Sequence, residues 1–124
     1  MNQSGSAKNA WGMSAIKQND ILIISIEYTV HLESADDFQK EIDRFLEESI
    51  TKFVLNMEKC KYISSITLAA VINLKKKLHS LNGDIKLARV NELIRKLFEK
   101  TNVFKILEIY DTVEDAIASF KKVS

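Results

Sequence analysis

Large aliphatic residues fill nearly every position from Ile21 to Ile26, and the run continues to Tyr28 with Ser25 and Glu27 alternating late. Branched side chains pack well on a pleated surface, so this stretch predicts a strand. Asn19-Asp20 just before it is a turn signal, and Met13 to Gln18 reads as a shorter strand. The chain therefore opens with a hairpin. Ser34 starts a helix, with Asp37 three residues on as a weaker form of the capping box. Phe38, Ile42, Phe45 and Leu46 fall on one face of that helix, which should fade near Ser49. Phe53 to Met57 is apolar except at Asn56, the pattern of a strand covered on both faces.

Glu58 to Ile63 is a connection holding Cys60 and Tyr62. A second helix then runs from Ser65 or Ile66 to about Leu81, with Val71, Leu74, Leu78 and Leu81 as its apolar face. Asn82-Gly83 ends it, since glycine readily takes the left-handed conformation that closes a helix. Ile85 to Ala88 is the next strand. Asn91 can cap a third helix with Leu93, Ile94, Leu97 and Phe98 facing inward. Lys105 to Ile109 reads as the last strand. Asp111 or Thr112 caps a final helix whose inner face is Val113, Ala116, Ile117 and Phe120. Strands and helices alternating in this way predict an α/β domain with parallel strand pairs and right-handed crossovers.

The chain has 124 residues and no proline, a length that suits one domain. Residues 1–12 are rich in Ser, Gly, Asn and Gln, with Trp11 the one large apolar residue, and are expected to form a flexible arm ahead of a domain over residues 13–124. Eighteen Lys and Arg face seventeen Asp and Glu. Binding to nucleic acid regardless of sequence calls for a marked basic excess, so no nucleic-acid partner is expected. The basic triplet Lys75, Lys76 and Lys77 reads as a solvated helix face. No stretch reaches the ~18 apolar residues of a membrane span, and no membrane partner is expected. The single cysteine, Cys60, cannot form an internal disulfide, which favours a cytoplasmic location.

Catalytic templates fail in turn. Gly5, Gly12 and Gly83 stand apart, so no phosphate-cradling loop exists. His31, His79 and Cys60 lack metal-ligand spacing, and no serine sits in a nucleophile elbow. No catalytic residue, metal or cofactor is expected. Cys60 lies between Lys59 and Lys61, which would favour its thiolate if it were accessible. What remains is Ser64-Ser65, placed where a strand's connection meets a helix start. Unpaired backbone N–H groups and the positive end of the helix dipole gather there. A phosphate at that point would be stabilised and would add roughly −1.5 to −2 charge to the surface. Simple capping by Ser64 or Ser65 accounts for the same residues.

At this segment the chain resembles the STAS domain, the family of the bacterial anti-sigma factor antagonists. Its pattern is an apolar strand, a short connection, then aromatic–apolar–Asp–Ser–Ser/Thr–Gly–Leu opening a helix. Tyr62-Ile63-Ser64-Ser65-Ile66-Thr67-Leu68 occupies those places. The similarity extends from about Met13 to Phe120, with Asn82-Gly83, Val90-Asn91 to Leu97-Phe98, Thr101 to Ile106 and Glu114-Asp115-Ala116 in matching positions. Asn102 stands in a glycine place. The resemblance implies a single α/β domain, with a mixed β-sheet and helices mainly on one face. It also implies a module that binds an anti-sigma factor serine kinase when unphosphorylated, with a metal-dependent serine phosphatase reversing the modification.

By position the phosphoacceptor is Ser65, with Ser64 or Thr67 as alternatives. The partner-binding set is Tyr28, Thr29, His31, Ser64, Ser65, Ile66 and Thr67; the last four are expected at an exposed rim, with the first three neighbouring them. The chain departs from the pattern at several of these. Ser64 replaces Asp, Ile66 replaces Ser/Thr, Thr67 replaces Gly, and Tyr28 and His31 replace a Gly and another Asp. Two acidic neighbours of the phosphosite are thus missing. A non-switching scaffold or interaction domain is the second reading, and a ligand-binding or enzymatic domain would need a polar cleft that the sequence does not announce.

Overall fold

The computed structural model describes residues 13–26, 35–61 and 63–121. The expected arm lies outside the described residues, as do Tyr28, Thr29, His31, Ser34 and Tyr62. Strand β1 (Met13–Gln18) turns through Asn19, at a positive φ of 58°, into β2 (Ile21–Ile26). Helix α1 (Ala35–Glu47), β3 (Lys52–Asn56), α2 (Ser65–Ser80), β4 (Asp84–Ala88), α3 (Glu92–Lys100), β5 (Ile109–Tyr110) and α4 (Val113–Phe120) follow. The strands form one sheet in the order β1-β2-β3-β4-β5. β1 pairs antiparallel to β2, and the other neighbours are parallel, giving the expected mixed sheet.

The period of two along each strand divides the interior into two cores. Leu22, Ile24 and Ile26 of β2, Phe53 and Leu55 of β3, and Ile85 and Leu87 of β4 point to one face. There they meet Ile42 of α1, Val71, Leu74 and Leu78 of α2, and Ile94 and Phe98 of α3. The alternate residues Ile21, Val54 and Ala88 point to the other face and meet only α4, through Ala116 and Ile117. Among the described residues, three helices therefore cover one face and a single short helix the other.

Three expectations are corrected. The last strand does not span Lys105 to Ile109. Asn102 enters the left-handed region (φ 63°), Val103–Lys105 forms a turn of 3₁₀ helix, and the strand is only Ile109–Tyr110. Val103 and Leu107 are buried while Phe104, Lys105 and Ile106 are exposed, a helical spacing of four and not a strand's alternation. Leu81 does not belong to the inner face of α2. The helix ends at Ser80, and Leu81 is 46% exposed. Leu93 and Leu97 do not face inward either. On α3 only Ile94 and Phe98 reach the core, and the two leucines lie about a sixth to a third of a turn round from them.

The end of α2 also differs from the expected glycine closure. Asn82, not Gly83, carries the positive φ of 60°. The Gly83 amide bonds the Leu78 carbonyl and the Asn82 amide the His79 carbonyl, a Schellman closure with asparagine in the left-handed place. Gly83 is required for another reason: a Cβ there would lie 2.0 Å from the Thr51 carbonyl oxygen.

Candidate functional site

The parallel strands β3 and β4 are neighbours, so the helices that follow them, α2 and α3, start from the same end of the sheet. Ser64 is the residue that caps α2. Its backbone is extended (φ −74°, ψ 156°), and its Oγ accepts a hydrogen bond from the Thr67 amide at 3.1 Å. The same hydroxyl donates to Thr67 Oγ1 at 3.0 Å. Serine thus caps the helix from the place where the family pattern has Asp, an equally good N-cap, but without its charge. No acidic side chain lies in the first turn of α2.

Ser65 is the first residue of the helix and is exposed. Its hydroxyl makes no hydrogen bond to any described residue. Ile66 beside it is 46% exposed. Thr67 corrects the expected rim, because it is only 1% exposed. It lies four residues before Val71 and so begins the inward stripe Thr67, Val71, Leu74, Leu78. Its hydroxyl can be buried because Ser64 satisfies it. The bulk that replaces the family's glycine therefore points into the protein. The structure brings Ser64, Ser65 and Ile66 together at the surface and removes Thr67 from it.

The connection ahead of α2 is anchored by a residue first read only as a cap. Asn91 Oδ1 accepts from the Ile94 amide at 2.8 Å and caps α3. Its Nδ2 donates to the carbonyls of Cys60 at 3.2 Å and Lys61 at 3.0 Å. One side chain thus ties the start of α3 to the entry of α2. Arg89, in the left-handed region at φ 60°, adds an ion pair to Glu58 at 3.0 Å. Cys60 is buried in the main core, so its lysine neighbours do not make it a reactive surface thiol. His79 is exposed, and the basic triplet divides: Lys75 pairs with Asp84, Lys77 approaches Asp43 at 3.5 Å, and Lys76 faces solvent.

A second cluster lies on the opposite face. Lys86 of β4 is 6% exposed. Its Nζ donates to Glu108 at 2.7 Å, pairs with Asp84 at 3.3 Å and sits 4.9 Å from the centre of the Phe120 ring. Burial pushes its ammonium pKa down, but the Glu108 hydrogen bond and the charges of Asp84 and Glu108 outweigh this, and the net shift is upward. Hydrogen bonds from Lys86 and Tyr110 hold the Glu108 carboxyl below its ordinary value. Asp84 and Glu108 together face the Lys86 charge, and the cluster fastens β4, β5 and α4 together.

Among the described residues no three His, Cys, Asp or Glu side chains converge, and no helix is long and apolar enough to cross a membrane. A Thermotoga neapolitana protein named as a candidate anti-sigma factor antagonist is 29% identical over 99 residues, covering 79% of this chain and 88% of its own. The crystal structure of a Thermotoga maritima protein given the same candidate role superposes with a TM-score of 0.84 at 26% identity, over 89% of this chain and 95% of that one. The anti-sigma factor antagonist SpoIIAA, in its unphosphorylated form, has the same fold at 15% identity, with a TM-score of 0.77 over 91% of this chain and 99% of that one. The family model described as the STAS domain matches residues 13–116, a span that includes the Ser64–Ser65 junction and every strand, and the chain belongs to that family.

Proposed function

We propose that this chain is an anti-sigma factor antagonist, a cytoplasmic binding module and not an enzyme. The rim at the start of α2 docks an anti-sigma factor serine kinase, and Ser65 is the hydroxyl that the kinase phosphorylates. The observation that carries this reading is the division of labour between adjacent serines. Ser64 is committed to the cap, whereas Ser65 is exposed with its hydroxyl unengaged by the described residues. In the transfer, Ser65 Oγ attacks the γ-phosphorus of ATP and loses its proton to the kinase, and ADP leaves. The phosphate then sits at the positive end of α2, near amides with no partner inside the helix. The backbone keeps its shape while the rim gains charge, and a partner surface built for a hydroxyl is repelled. Ile66 supplies apolar contact. Tyr28, Thr29 and His31 join the rim by their places in the family pattern. A metal-dependent serine phosphatase restores the free hydroxyl.

The test is incubation of the purified chain with the anti-sigma factor kinases of its source organism and Mg-ATP, followed by peptide mass spectrometry. One phosphate on Ser65, retained in Ser64→Ala and absent in Ser65→Ala, is the expected result. The lack of any acidic side chain in the first turn of α2 favours a second reading, a non-switching interaction domain. Tight kinase binding with no phosphate transferred would select that reading.

A further inference from the structure

We infer that the docking surface continues from the start of α2 onto the outer face of α3, where it receives an apolar segment flanked by acidic side chains on the same partner. This rests on the docking role proposed above. Leu93 is 67% exposed and Leu97 40% exposed, while Ile94 and Phe98 of the same helix are 1% and 0% exposed. Helix α3 is therefore apolar on two sides, and its core accounts for only one. Leu93, Lys96, Leu97 and Lys100 follow one another at i, i+3, i+4 and i+7, so they share one outward face. Neither lysine makes an ion pair among the described residues.

Asn91 links this face to the connection that leads to the Ser65 rim. Asn91, two residues before Leu93, holds the carbonyls of Cys60 and Lys61, four and three residues before Ser64. Asn91 thus ties the helix start that carries Leu93 to the connection leading to Ile66. The charge identifies the occupant. A second copy of this chain using the same face would set Lys96 and Lys100 against their own counterparts, since a twofold contact matches a patch to itself. A partner segment with apolar residues between aspartates or glutamates satisfies both the leucines and the lysines.

The experiment measures binding of the source organism's anti-sigma factor kinase by calorimetry, at low and high salt. The chains compared are wild type, L93A/L97A, K96E/K100E and, as a control at an exposed leucine elsewhere, L81A. Unfolding midpoints close to wild type show that each variant folds. Expected are at least a tenfold loss of affinity for L93A/L97A, roughly the scale of a disrupted interface anchor. K96E/K100E should show a comparable loss with weaker salt dependence, and L81A no change. Wild-type binding with L93A/L97A unaffected overturns the extension and leaves the docking role intact. No binding by wild type overturns both. Sedimentation showing a wild-type dimer that L93A/L97A dissolves would assign the face to a second copy and overturn the inference.

Discussion

Ser64 and Ser65 differ by one position and by almost everything that matters to a hydroxyl. Ser64 Oγ satisfies an amide and a buried threonine, so Ser64→Ala is expected to cost about 0.5–2 kcal/mol. Ser65→Ala should leave stability within about 0.5 kcal/mol of wild type, as exposed substitutions do. Urea unfolding of the two variants checks the pair. The sequence located these serines from the apolar strand before them and the helix after them. It did not say which one caps, because either hydroxyl can do so and only the backbone angles decide. Thr67 sits four residues before Val71, a core spacing, but its place in the family pattern pointed to the rim, and the bond that satisfies it inside was not visible. Asn102 shows the reverse case. Its place corresponds to a glycine in the family pattern, and the structure puts it at φ 63°, a region that asparagine tolerates better than other side chains.

At the scale of elements, the strong periodic segments predict the hairpin, two further strands and four helices, since each has an interior large enough to impose its spacing. The short ones were ambiguous. In nine-residue α3, four apolar residues at 93, 94, 97 and 98 fit more than one inward face, and only packing on the sheet chooses Ile94 and Phe98. Lys105 to Ile109 reads as strand because Ile106, Leu107 and Ile109 are individually strand-compatible, yet pairing begins only at Ile109. Asn91 is where two elements become one unit. Asn91→Ala removes a helix cap and two bonds to the Cys60 and Lys61 carbonyls, and should cost about 1–3 kcal/mol. Amide hydrogen exchange should quicken both in the first turn of α3 and in the connection before Ser64. Faster exchange in α3 alone would mean that the two starts are held by other contacts.

For the whole molecule, the Lys86 cluster sets the expected response to pH. It was invisible in the sequence, because Asp84, Lys86, Glu108 and Phe120 meet only once β4, β5 and α4 are in place. Burial would raise the Asp84 carboxyl, but the bonds from Lys75 and the Ile85 amide and the nearby lysine charges outweigh it, and Asp84, like Glu108, titrates below its ordinary range. Groups depressed on folding stabilise the protein above their unfolded pKa, and this contribution is lost as pH falls through the folded value. Lys86 is raised, so its contribution is complete below its unfolded pKa and is lost as pH climbs through the folded one. Stability should therefore hold level across neutral pH and fall on the acid side of about pH 4. Lys86→Met keeps the buried stem and removes the charge, so unfolding curves measured from pH 3 to 7 should show a shallower acid decline.

The unequal division of the interior also fixes an order of failure. Helices α1, α2 and α3 share one large core, whereas α4 rests on a small cluster around Val54 and Ala88. Detaching α4 uncovers little apolar surface, so it is the first part to come loose on warming. A protease should cleave near Asp111 while the opposite side of the sheet is still intact. The face proposed for docking thus outlasts α4, and a molecule trimmed there would still present it.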